Sequence, residues 1–355
     1  MDSKEILADF KEKVDVEIEI YLDKAIKEAE EKDAVIADSL KYVKKVILSG
    51  GKRLRPAFMY YGYLAVGGKE KEKIIKASVS IELIHTFLLI HDDIIDRDSK
   101  RHGLPTINNR YEKISKKLFL GKNAEHFGNS MAIIIGDMVC ALGNQIIFNS
   151  EFDPKLIMKA LDALQDIISY TVIGQSLDLY TEYKKQSTEK EILKICEYKT
   201  AKYTIEGPLY LGAILGGADK KILSAITQYS IPVGTAFQIQ DDILGIFGSE
   251  KKLGKDVGSD IKEGKQTLLL LKAKEKADKN QKKILKNLLG KKDLNLQDIK
   301  TFQKIIVETG ALDYAQELSK KMVTQGIEVI EKAEINSEAK NFMIGIANYI
   351  INRKL

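Results

Sequence analysis

The sequence has 355 residues, 44% of them hydrophobic, so it is long enough and apolar enough to bury a large core. Its 56 lysines and arginines nearly balance its 51 aspartates and glutamates, and a net charge of +5 gives no reason to expect a nucleic-acid or anionic-membrane partner. Its two cysteines, Cys140 and Cys196, lie in apolar segments without metal-ligand spacing, which is typical of reduced thiols in a cytoplasmic protein.

Helical periodicity runs through the whole chain. Apolar residues recur every three or four positions, only five prolines interrupt them, and no alternating run is flanked by hairpin turns. This pattern predicts an all-α fold, and we expect a single domain over residues 1–355 because no linker or repeat divides the chain. The first helices are predicted at about residues 4–31 and 33–48. The charged N-terminus has no signal-peptide core, which favours a cytoplasmic location.

A glycine-rich turn with three cations follows these helices. It reads Gly-Gly-Lys-Arg-Leu-Arg-Pro over residues 50–56, and its proline is placed to begin the next helix. Glycines let backbone N–H groups approach an anion, and Lys52 and Arg55 can grip it. Only six of the 56 cations in the chain are arginines, so arginines in this turn indicate phosphate binding rather than an ordinary solvated turn.

The next predicted helix has an acidic end. An apolar run over residues 81–95 carries Asp92, and Asp96 follows one helical turn later on the same face. Two such carboxylates can converge on one cation, and hard oxygen ligands suit Mg²⁺. His85 lies on nearly the same face. The alternative is a solvated acidic helix end, but the apolar run, the adjacent cations and a second acidic pair downstream argue against it.

Residues 107–129 are polar and basic, and we expect a surface excursion there before an apolar helix that begins near Met131. The apolar stretch from Met131 to Phe148 nearly has membrane-spanning length. Asp137 within it favours a buried core helix, so no transmembrane segment is expected.

Polar residues recur inside the later helices. The segment 174–178, Gly-Gln-Ser-Leu-Asp, places Gln175 and Asp178 near one another on one face. Lys199 and Thr200 interrupt another apolar helical pattern. A buried lysine needs an anion, and a helical threonine can loosen the hydrogen-bond ladder. An exposed lysine is the alternative interpretation.

A second acidic pair, Asp241 and Asp242, ends another apolar helix, so two acidic helix ends can meet at a common centre. A glycine-punctuated loop then offers Lys255 and Lys265 to phosphate. Together these residues imply a site that holds diphosphates through magnesium. The chain has neither a Walker loop nor a Rossmann fingerprint, and no nucleophile is paired with a base, so the pattern favours a reaction in which diphosphate leaves.

Six motifs in order make the chain resemble the trans-isoprenyl diphosphate synthases, or polyprenyl synthetases, over nearly its whole length. The matching segments are residues 50–56, Asp-Asp-Ile-Ile-Asp at 92–96 followed by Arg101, Gly-Gln-x-x-Asp at 174–178, Lys-Thr-Ala at 199–201, Phe-Gln-Ile-Gln-Asp-Asp at 237–242, and Lys255 with Lys265. The resemblance implies a helical bundle around a central active-site cavity, a homodimer, and Mg²⁺-dependent condensation of isopentenyl diphosphate with an allylic diphosphate.

The resemblance also implies a role for each matching residue. Asp92, Asp96 and Asp241 would bind several Mg²⁺ ions together with the allylic diphosphate. Thr200 and Gln238 would present oxygens to the allylic carbocation, with Lys199 as the third catalytic residue. The allylic diphosphate would be bound by Arg101, Lys199, Thr200, Gln238, Lys255 and Lys265, and isopentenyl diphosphate by Lys52, Arg55, His85 and His102.

Two departures from the family pattern concern the site. His102 stands where a second arginine is usual, so one contact to isopentenyl diphosphate is expected to weaken as the pH rises through the histidine's range. Gly245 stands where the second motif often ends in aspartate, which leaves Asp241 with one fewer carboxylate beside it to bind metal. Some members that form geranylgeranyl diphosphate share this second departure.

Product length is expected to depend on side chains beneath the metal site. In the family, the positions five and four before the first aspartate control it, and here they are Phe87 and Leu88. One aromatic residue rather than two resembles enzymes that make the C20 product, geranylgeranyl diphosphate; farnesyl diphosphate or a product of C25 and above is the alternative. Helix geometry puts Leu88, not Phe87, closest beneath Asp92, so a neighbouring helix or the dimer partner can also form the floor.

Two other functions would account for some of these motifs. A type I terpene cyclase shares the fold and the first aspartate motif, but its second metal motif has a spacing that Asp241 and Glu250 do not match, and it would have no use for Lys52 and Arg55. A non-catalytic synthase subunit should have lost aspartates or lysines that this chain keeps. The sequence therefore favours the synthase.

Overall fold

In the computed structural model, which describes residues 3–119, 123–248 and 258–352, the chain is almost entirely helical, as predicted. The elements up to the longest helix are α1 (Ser3–Glu30), α2 (Ala34–Leu48), α3 (Leu54–Ala65), α4 (Lys71–Ile95), β1 (Lys100–Arg101), β2 (Leu104–Pro105), α5 (Ile107–Leu118), α6 (Ala124–Phe148) and α7 (Pro154–Lys184). They are followed by α8 (Glu189–Ile195), a π-helix (Cys196–Glu206), α9 (Gly207–Leu215), α10 (Lys220–Phe247), α11 (Ser259–Glu263), α12 (Leu268–Lys276), α13 (Lys279–Leu288), α14 (Leu296–Glu308), α15 (Ala311–Lys332) and α16 (Ser337–Ile351).

Local sequence explains where several helices begin. Asp33 caps α2, because its side chain accepts hydrogen bonds from the backbone N–H groups of Val35 and Ile36. Asp153 caps α7 in the same way, and Pro154 occupies the first helical position, where its missing N–H costs nothing. The antiparallel strands β1 and β2 form a short hairpin directly after the acidic end of α4.

The surface excursion expected at residues 107–129 is wrong for most of that segment. Residues 107–118 form α5, and α6 begins at Ala124 rather than near Met131. Ile107 and Tyr111 lie one turn apart and are buried, which gives α5 an apolar face despite its many lysines. At Gly128 the two helices come close, since a Cβ there would lie 3.0 Å from the backbone nitrogen of Glu112.

The expectation that α6 is a buried core helix holds for only one of its faces. It packs against α4 and α5, whereas Ile133, Ile134 and Phe148 are exposed in the single chain. By length and composition alone, α4 and α6 could each cross a membrane, although two-thirds of the most apolar window of α4 is buried inside the bundle against one-third for α6.

The main hydrophobic core extends from Leu7 in α1 to Ile350 in α16, and a second cluster surrounds the C-terminal half of α10. Four long elements (α4, α7, the π-helix and α10) lie around a central space near the ends of α4 and α10. That residues 1–355 form a single domain stays a prediction.

Candidate active site

A cavity of about 550 Å³ lies between α4, α7, the π-helix and α10. Most of the residues proposed for the site line it: Arg55, His85, Phe87, Leu88, Asp92, Asp96, Lys199, Thr200, Gln238, Asp241 and Lys265. Lys52, Arg101 and His102 do not line it, and Lys255 lies outside the described residues. The fold therefore brings the two acidic helix ends, which are far apart in sequence, to one cavity.

The aspartates at the end of α4 have different surroundings. Asp92 and Asp96 line the cavity; burial, with Asp92 as a nearby like charge, raises the pKa of Asp96 to about 7. Asp93 instead accepts a hydrogen bond of 2.8 Å from Nε of Arg101 and a second from Nη2 of the same guanidinium. Burial raises the pKa of Asp93 to about 6, against the lowering effect of Arg101. Asp93 thus positions Arg101, which also pairs with Asp98.

At the end of α10 a hydrogen-bonded chain fixes one catalytic candidate. The Thr200 hydroxyl donates to Oε1 of Gln238 (2.5 Å), and Nε2 of Gln238 donates to Oδ1 of Asp242 (2.7 Å). Burial raises the pKa of Asp242 well above its ordinary value, with Asp260 adding to the effect. Asp242 therefore orients the amide of Gln238, while Asp241 is the aspartate of this pair whose candidate role is metal binding.

Gly245, which sequence reasoning treated as the loss of an acid, lies beside another carboxylate. A Cβ at position 245 would lie 2.9 Å from Cγ of Asp260, so the Asp260 carboxylate occupies the space that a side chain there would need. Both residues line the cavity. The sequence carried no signal for this pairing, because Asp260 lies in the short helix α11 and approaches α10 only in three dimensions.

Lys199 is half-buried where the π-helix approaches α7. A Cβ at Gly174 would lie 2.8 Å from Cα of Lys199, so the glycine of the 174–178 motif permits this approach. Lys199 donates to Oδ2 of Asp178 (2.7 Å). Burial by itself disfavours the charged ammonium of Lys199. The nearby carboxylates of Asp178 and Asp92 outweigh this effect and raise the pKa of Lys199 above its usual value. The threonines of the 199–204 segment lie in a π-helix, a distortion of the kind that often occurs at functional sites.

Lys265 is held by two acids of the same short segment. Its ammonium lies 2.7 Å from Oε2 of Glu263 and 3.3 Å from Oδ1 of Asp260. Burial disfavours its charge, yet these carboxylates and Asp96 raise the pKa of Lys265 well above its ordinary value. Lys265 is therefore charged at neutral pH and lies at the acidic end of the cavity.

Arg55 and His85 meet at Tyr203, a residue that sequence reasoning missed. The Arg55 guanidinium lies 4.3 Å from the centre of the Tyr203 ring and donates to Oγ1 of Thr204 (2.8 Å). The Tyr203 hydroxyl lies 2.5 Å from Nδ1 of His85. Burial and the nearby Arg55 lower the pKa of His85 well below its ordinary value, so the imidazole is neutral at neutral pH. Nε of Arg55 is buried and has no hydrogen-bond partner.

The remaining cations of the 50–56 turn differ in exposure. Arg53 is buried and bonds Asp15, Glu82 and the carbonyl of Ile47, so its work is structural. Lys52 is exposed and donates to the hydroxyl of Tyr349 (3.1 Å).

His102 lies against the same turn. A Cβ at Gly50 would be 2.6 Å from Nδ1 of His102, so the glycine makes room for the imidazole. Burial and Arg101 lower the pKa of His102. The histidine is therefore placed beside the cations of the turn without lining the cavity.

The other end of the cavity is apolar. Phe87 and Leu88 both contribute to its wall, and Val172 of α7 also lines the cavity. Phe87 is buried and Leu88 only partly so. That Phe87 or Leu88 limits the chain length of the product stays a prediction.

The acidic end fits Mg²⁺ by the chemistry of its donors. The candidate ligands Asp92, Asp96 and Asp241 are hard oxygen donors that line the cavity together, and burial and the like charge of Asp92 raise the pKa of Asp96, so a bound cation would favour its charged form. Among the described residues, no three histidine, cysteine or acidic side chains are close enough to hold a metal ion by themselves. Phosphate oxygens and water would have to complete its coordination, as is usual for Mg²⁺.

The chain is similar to proteins of one family over most of its length. Residues 36–306 match the family model described as polyprenyl synthetase. The chain is 33% identical to geranylgeranyl diphosphate synthase of Methanosarcina mazei over 306 residues, which cover 86% of this chain and 87% of the relative. It is 32% identical to geranylfarnesyl diphosphate synthase of Aeropyrum pernix, with 87% and 92% covered. Among solved structures, geranylgeranyl pyrophosphate synthase of Corynebacterium glutamicum, complexed with isoprenyl diphosphate and magnesium, superposes with a TM-score of 0.91, at 29% identity and with 97% and 99% covered.

Proposed function

The chain belongs to the polyprenyl synthetase family and is a prenyltransferase that elongates prenyl chains; we propose that it condenses isopentenyl diphosphate with allylic diphosphates to make mainly geranylgeranyl diphosphate. The similarity supports C20 without deciding it, because relatives of nearly equal identity carry the names geranylgeranyl and geranylfarnesyl diphosphate synthase.

One observation carries the proposal: a single cavity has carboxylates and lysines at one end, an arginine and a neutral histidine on its wall, and apolar side chains at the other end. An allylic diphosphate is itself divided in this way, into a highly charged head and a hydrocarbon tail. A substrate bound with its head between the acidic helix ends would direct its tail towards Phe87 and Leu88.

The allylic diphosphate would be held at the ends of α4 and α10. Asp92, Asp96 and Asp241 are the proposed ligands of Mg²⁺, which when bound supplies the positive charge that stabilises the departing diphosphate. Lys199 and Lys265 add fixed positive charge on the same side of the cavity. Arg101 and Lys255 stay predicted contacts, Arg101 being engaged with Asp93 and Asp98.

Loss of diphosphate leaves an allylic carbocation, which needs electron-rich groups that do not react with it. Oγ1 of Thr200 and Oε1 of Gln238 are such groups, and the bond from Gln238 to Asp242 fixes their direction. Because Asp242 holds the amide nitrogen, the amide oxygen faces Thr200. Their lone pairs would stabilise the cation by charge–dipole attraction without forming a covalent bond.

Isopentenyl diphosphate would bind on the side of Arg55 and His85, with Lys52 and His102 as outer contacts. The unpartnered Nε of Arg55 is a buried donor that a phosphate oxygen can satisfy. The double bond of isopentenyl diphosphate then attacks the carbocation, a new carbon–carbon bond forms, and one proton leaves. We propose that the released diphosphate accepts this proton.

We also propose that the chain is a homodimer, in keeping with the family resemblance. The support is an apolar surface on α6 and α7, which we call the α6/α7 face: Ile133, Ile134, Phe148, Met158, Ile173, Tyr180 and Tyr183. A second copy of the chain would cover these side chains. Light scattering should give twice the mass of one chain for the wild type and one chain mass for Ile134→Glu; a monomeric wild type would reject the dimer.

Product analysis tests the proposed reaction. Purified protein would be incubated with Mg²⁺, labelled isopentenyl diphosphate and, in separate reactions, dimethylallyl, geranyl or farnesyl diphosphate, and the chains would be sized after dephosphorylation. A dominant C20 product supports the proposal, and C25 or longer would keep the chemistry but reject the proposed length. A hydrocarbon or alcohol made from geranylgeranyl diphosphate, without elongation, would indicate a cyclase.

A further inference from the structure

We propose that His91, held against Gly136 of α6, determines product length by supporting the ring of Phe87 in the cavity wall. This inference rests on the proposed function, since it concerns the tail end of the same cavity. His91 acts through the Phe87 ring, at the place where α4 packs against α6.

The contact between the two rings is direct. Phe87 and His91 lie four residues apart on α4, so they share one face of the helix. Their ring centres are 5.1 Å apart and the planes meet at 84°, an edge-to-face arrangement. Both side chains line the cavity. Any movement of the imidazole therefore changes the space available to the Phe87 ring.

The other side of the imidazole is fixed by α6. Nε2 of His91 lies 3.2 Å from the carbonyl oxygen of Ile133, within hydrogen-bond distance, and 3.7 Å from Oδ1 of Asp137. A hydrogen bond to the carbonyl requires the proton on Nε2. This bond ties a side chain of the cavity wall to a helix that carries none of the proposed catalytic residues.

Gly136 is the residue that lets the imidazole lie there. A Cβ at position 136 would be 2.6 Å from Cδ2 of His91 and closer still to Nε2, so any larger residue must displace the ring. The ring is the end of a movable side chain, and the cavity beside it offers free volume, so the helix itself can stay in place. The absence of a side chain at Gly136 thus determines how far the imidazole of His91 lies from the cavity.

This arrangement predicts opposite effects for two substitutions. His91→Ala removes the support behind Phe87 and enlarges the wall, so the dominant product should become longer than that of the wild type by at least one five-carbon unit. Gly136→Ala pushes the imidazole towards the cavity, so the product should become shorter and farnesyl diphosphate should accumulate.

A matched control distinguishes this effect from a general disturbance of the helix pair. Gly143→Ala adds the same methyl group to the same helix at its contact with α4, but it meets Ile84, 3.0 Å from the new Cβ, and Ile84 does not line the cavity. Its product distribution should match the wild type. A double variant, Phe87→Ala with His91→Ala, should give the same length as Phe87→Ala alone, because both substitutions remove the same barrier.

The experiment is sizing of products from farnesyl diphosphate and labelled isopentenyl diphosphate for the wild type and these variants, with thermal melting to verify folding. Opposite shifts for His91→Ala and Gly136→Ala, with no shift for Gly143→Ala, would support the inference. Unchanged distributions for folded His91→Ala and Gly136→Ala would overturn it while leaving the proposed function intact. A wild type that does not elongate would instead reject the proposed function. If His91→Ala fails to fold, the outcome for Gly136→Ala decides.

Discussion

The cations on the two sides of the cavity differ in what neutralises them. On the allylic side, Lys199 pairs with Asp178, and Lys265 with Glu263 and Asp260. On the isopentenyl side, Arg55 contacts a threonine hydroxyl and a tyrosine ring, and Lys52 a tyrosine hydroxyl. In the described part of the chain neither Arg55 nor Lys52 forms an ion pair.

Because their cations are neutralised differently, the two sides can bind a diphosphate in different ways. On the allylic side the lysines are already compensated, and further carboxylates are present, so a bare diphosphate would meet more negative charge than positive. It needs divalent cations to bind there. On the isopentenyl side the cations have neutral partners, so a diphosphate can be the first anion to reach them without a metal. Four predictions test this contrast, beginning with the substitution expected to lower activity most.

The strongest test removes a metal ligand. Asp92→Ala should lower kcat for elongation by about 100- to 1,000-fold, because the charge that stabilises the leaving diphosphate is lost. It should also abolish the thermal stabilisation by Mg²⁺ with an allylic diphosphate. Asp166→Ala, at an exposed acid of α7, is the control and should behave as the wild type. Full activity of Asp92→Ala would contradict the metal assignment.

The second test compares one cation from each side. Arg55→Gln should raise KM for isopentenyl diphosphate by about 10- to 100-fold, as expected for loss of a charged hydrogen bond, and leave KM for the allylic substrate nearly unchanged. Lys199→Gln should instead lower kcat and leave Asp178 without its partner. Steady-state kinetics with each substrate varied in turn measures both. Identical effects on the two substrates would show that the sides are not separate.

The third test concerns the helix contact that positions Lys199. Gly174→Ala should lower the free energy of unfolding by about 1–3 kcal/mol, because the added methyl group meets the backbone of Lys199, which cannot move aside. Chemical denaturation measures this change. Gly143→Ala is the comparison and should lose less stability, since its new Cβ would lie 3.0 Å from the Ile84 side chain and 3.2 Å from the carbonyl oxygen of Ser80, contacts that a small shift can relieve. A variant at 174 as stable as the wild type would mean that the approach of α7 is not tight.

The smallest effect is expected at His102. Burial and Arg101 lower the pKa of His102, so it loses its charge below the ordinary histidine range and is neutral at pH 8. His102→Arg should therefore reduce KM for isopentenyl diphosphate by about two- to fivefold at pH 8, the size expected for one exposed charge. The gain should shrink at acidic pH, where the wild-type histidine is also charged. An unchanged KM at pH 8 would argue against a contact with the substrate.

The fold class and most of the proposed residues that line the cavity could be predicted from the sequence. Helices, and the residues that share one face of a helix, follow from local spacing. The all-α fold followed from apolar periodicity, and Asp92 and Asp96 were placed on one face because they lie one helical turn apart. Segment 107–129 was misjudged because its lysines obscured two buried positions, Ile107 and Tyr111, that make an apolar face. The family match then gave roles to residues that spacing alone could not assign.

Contacts between residues that are distant in sequence depend on how the helices pack. Tyr203 beside Arg55, Asp260 beside Gly245 and His91 beside Gly136 all join different elements, and each depends on how closely two backbones approach. Local sequence patterns specify which helices form, which of their faces are apolar and which residues can bind phosphate and metal. Tertiary packing decided which cation meets which carboxylate and where the wall of the cavity stands, because those distances depend on helix positions that no local pattern encodes.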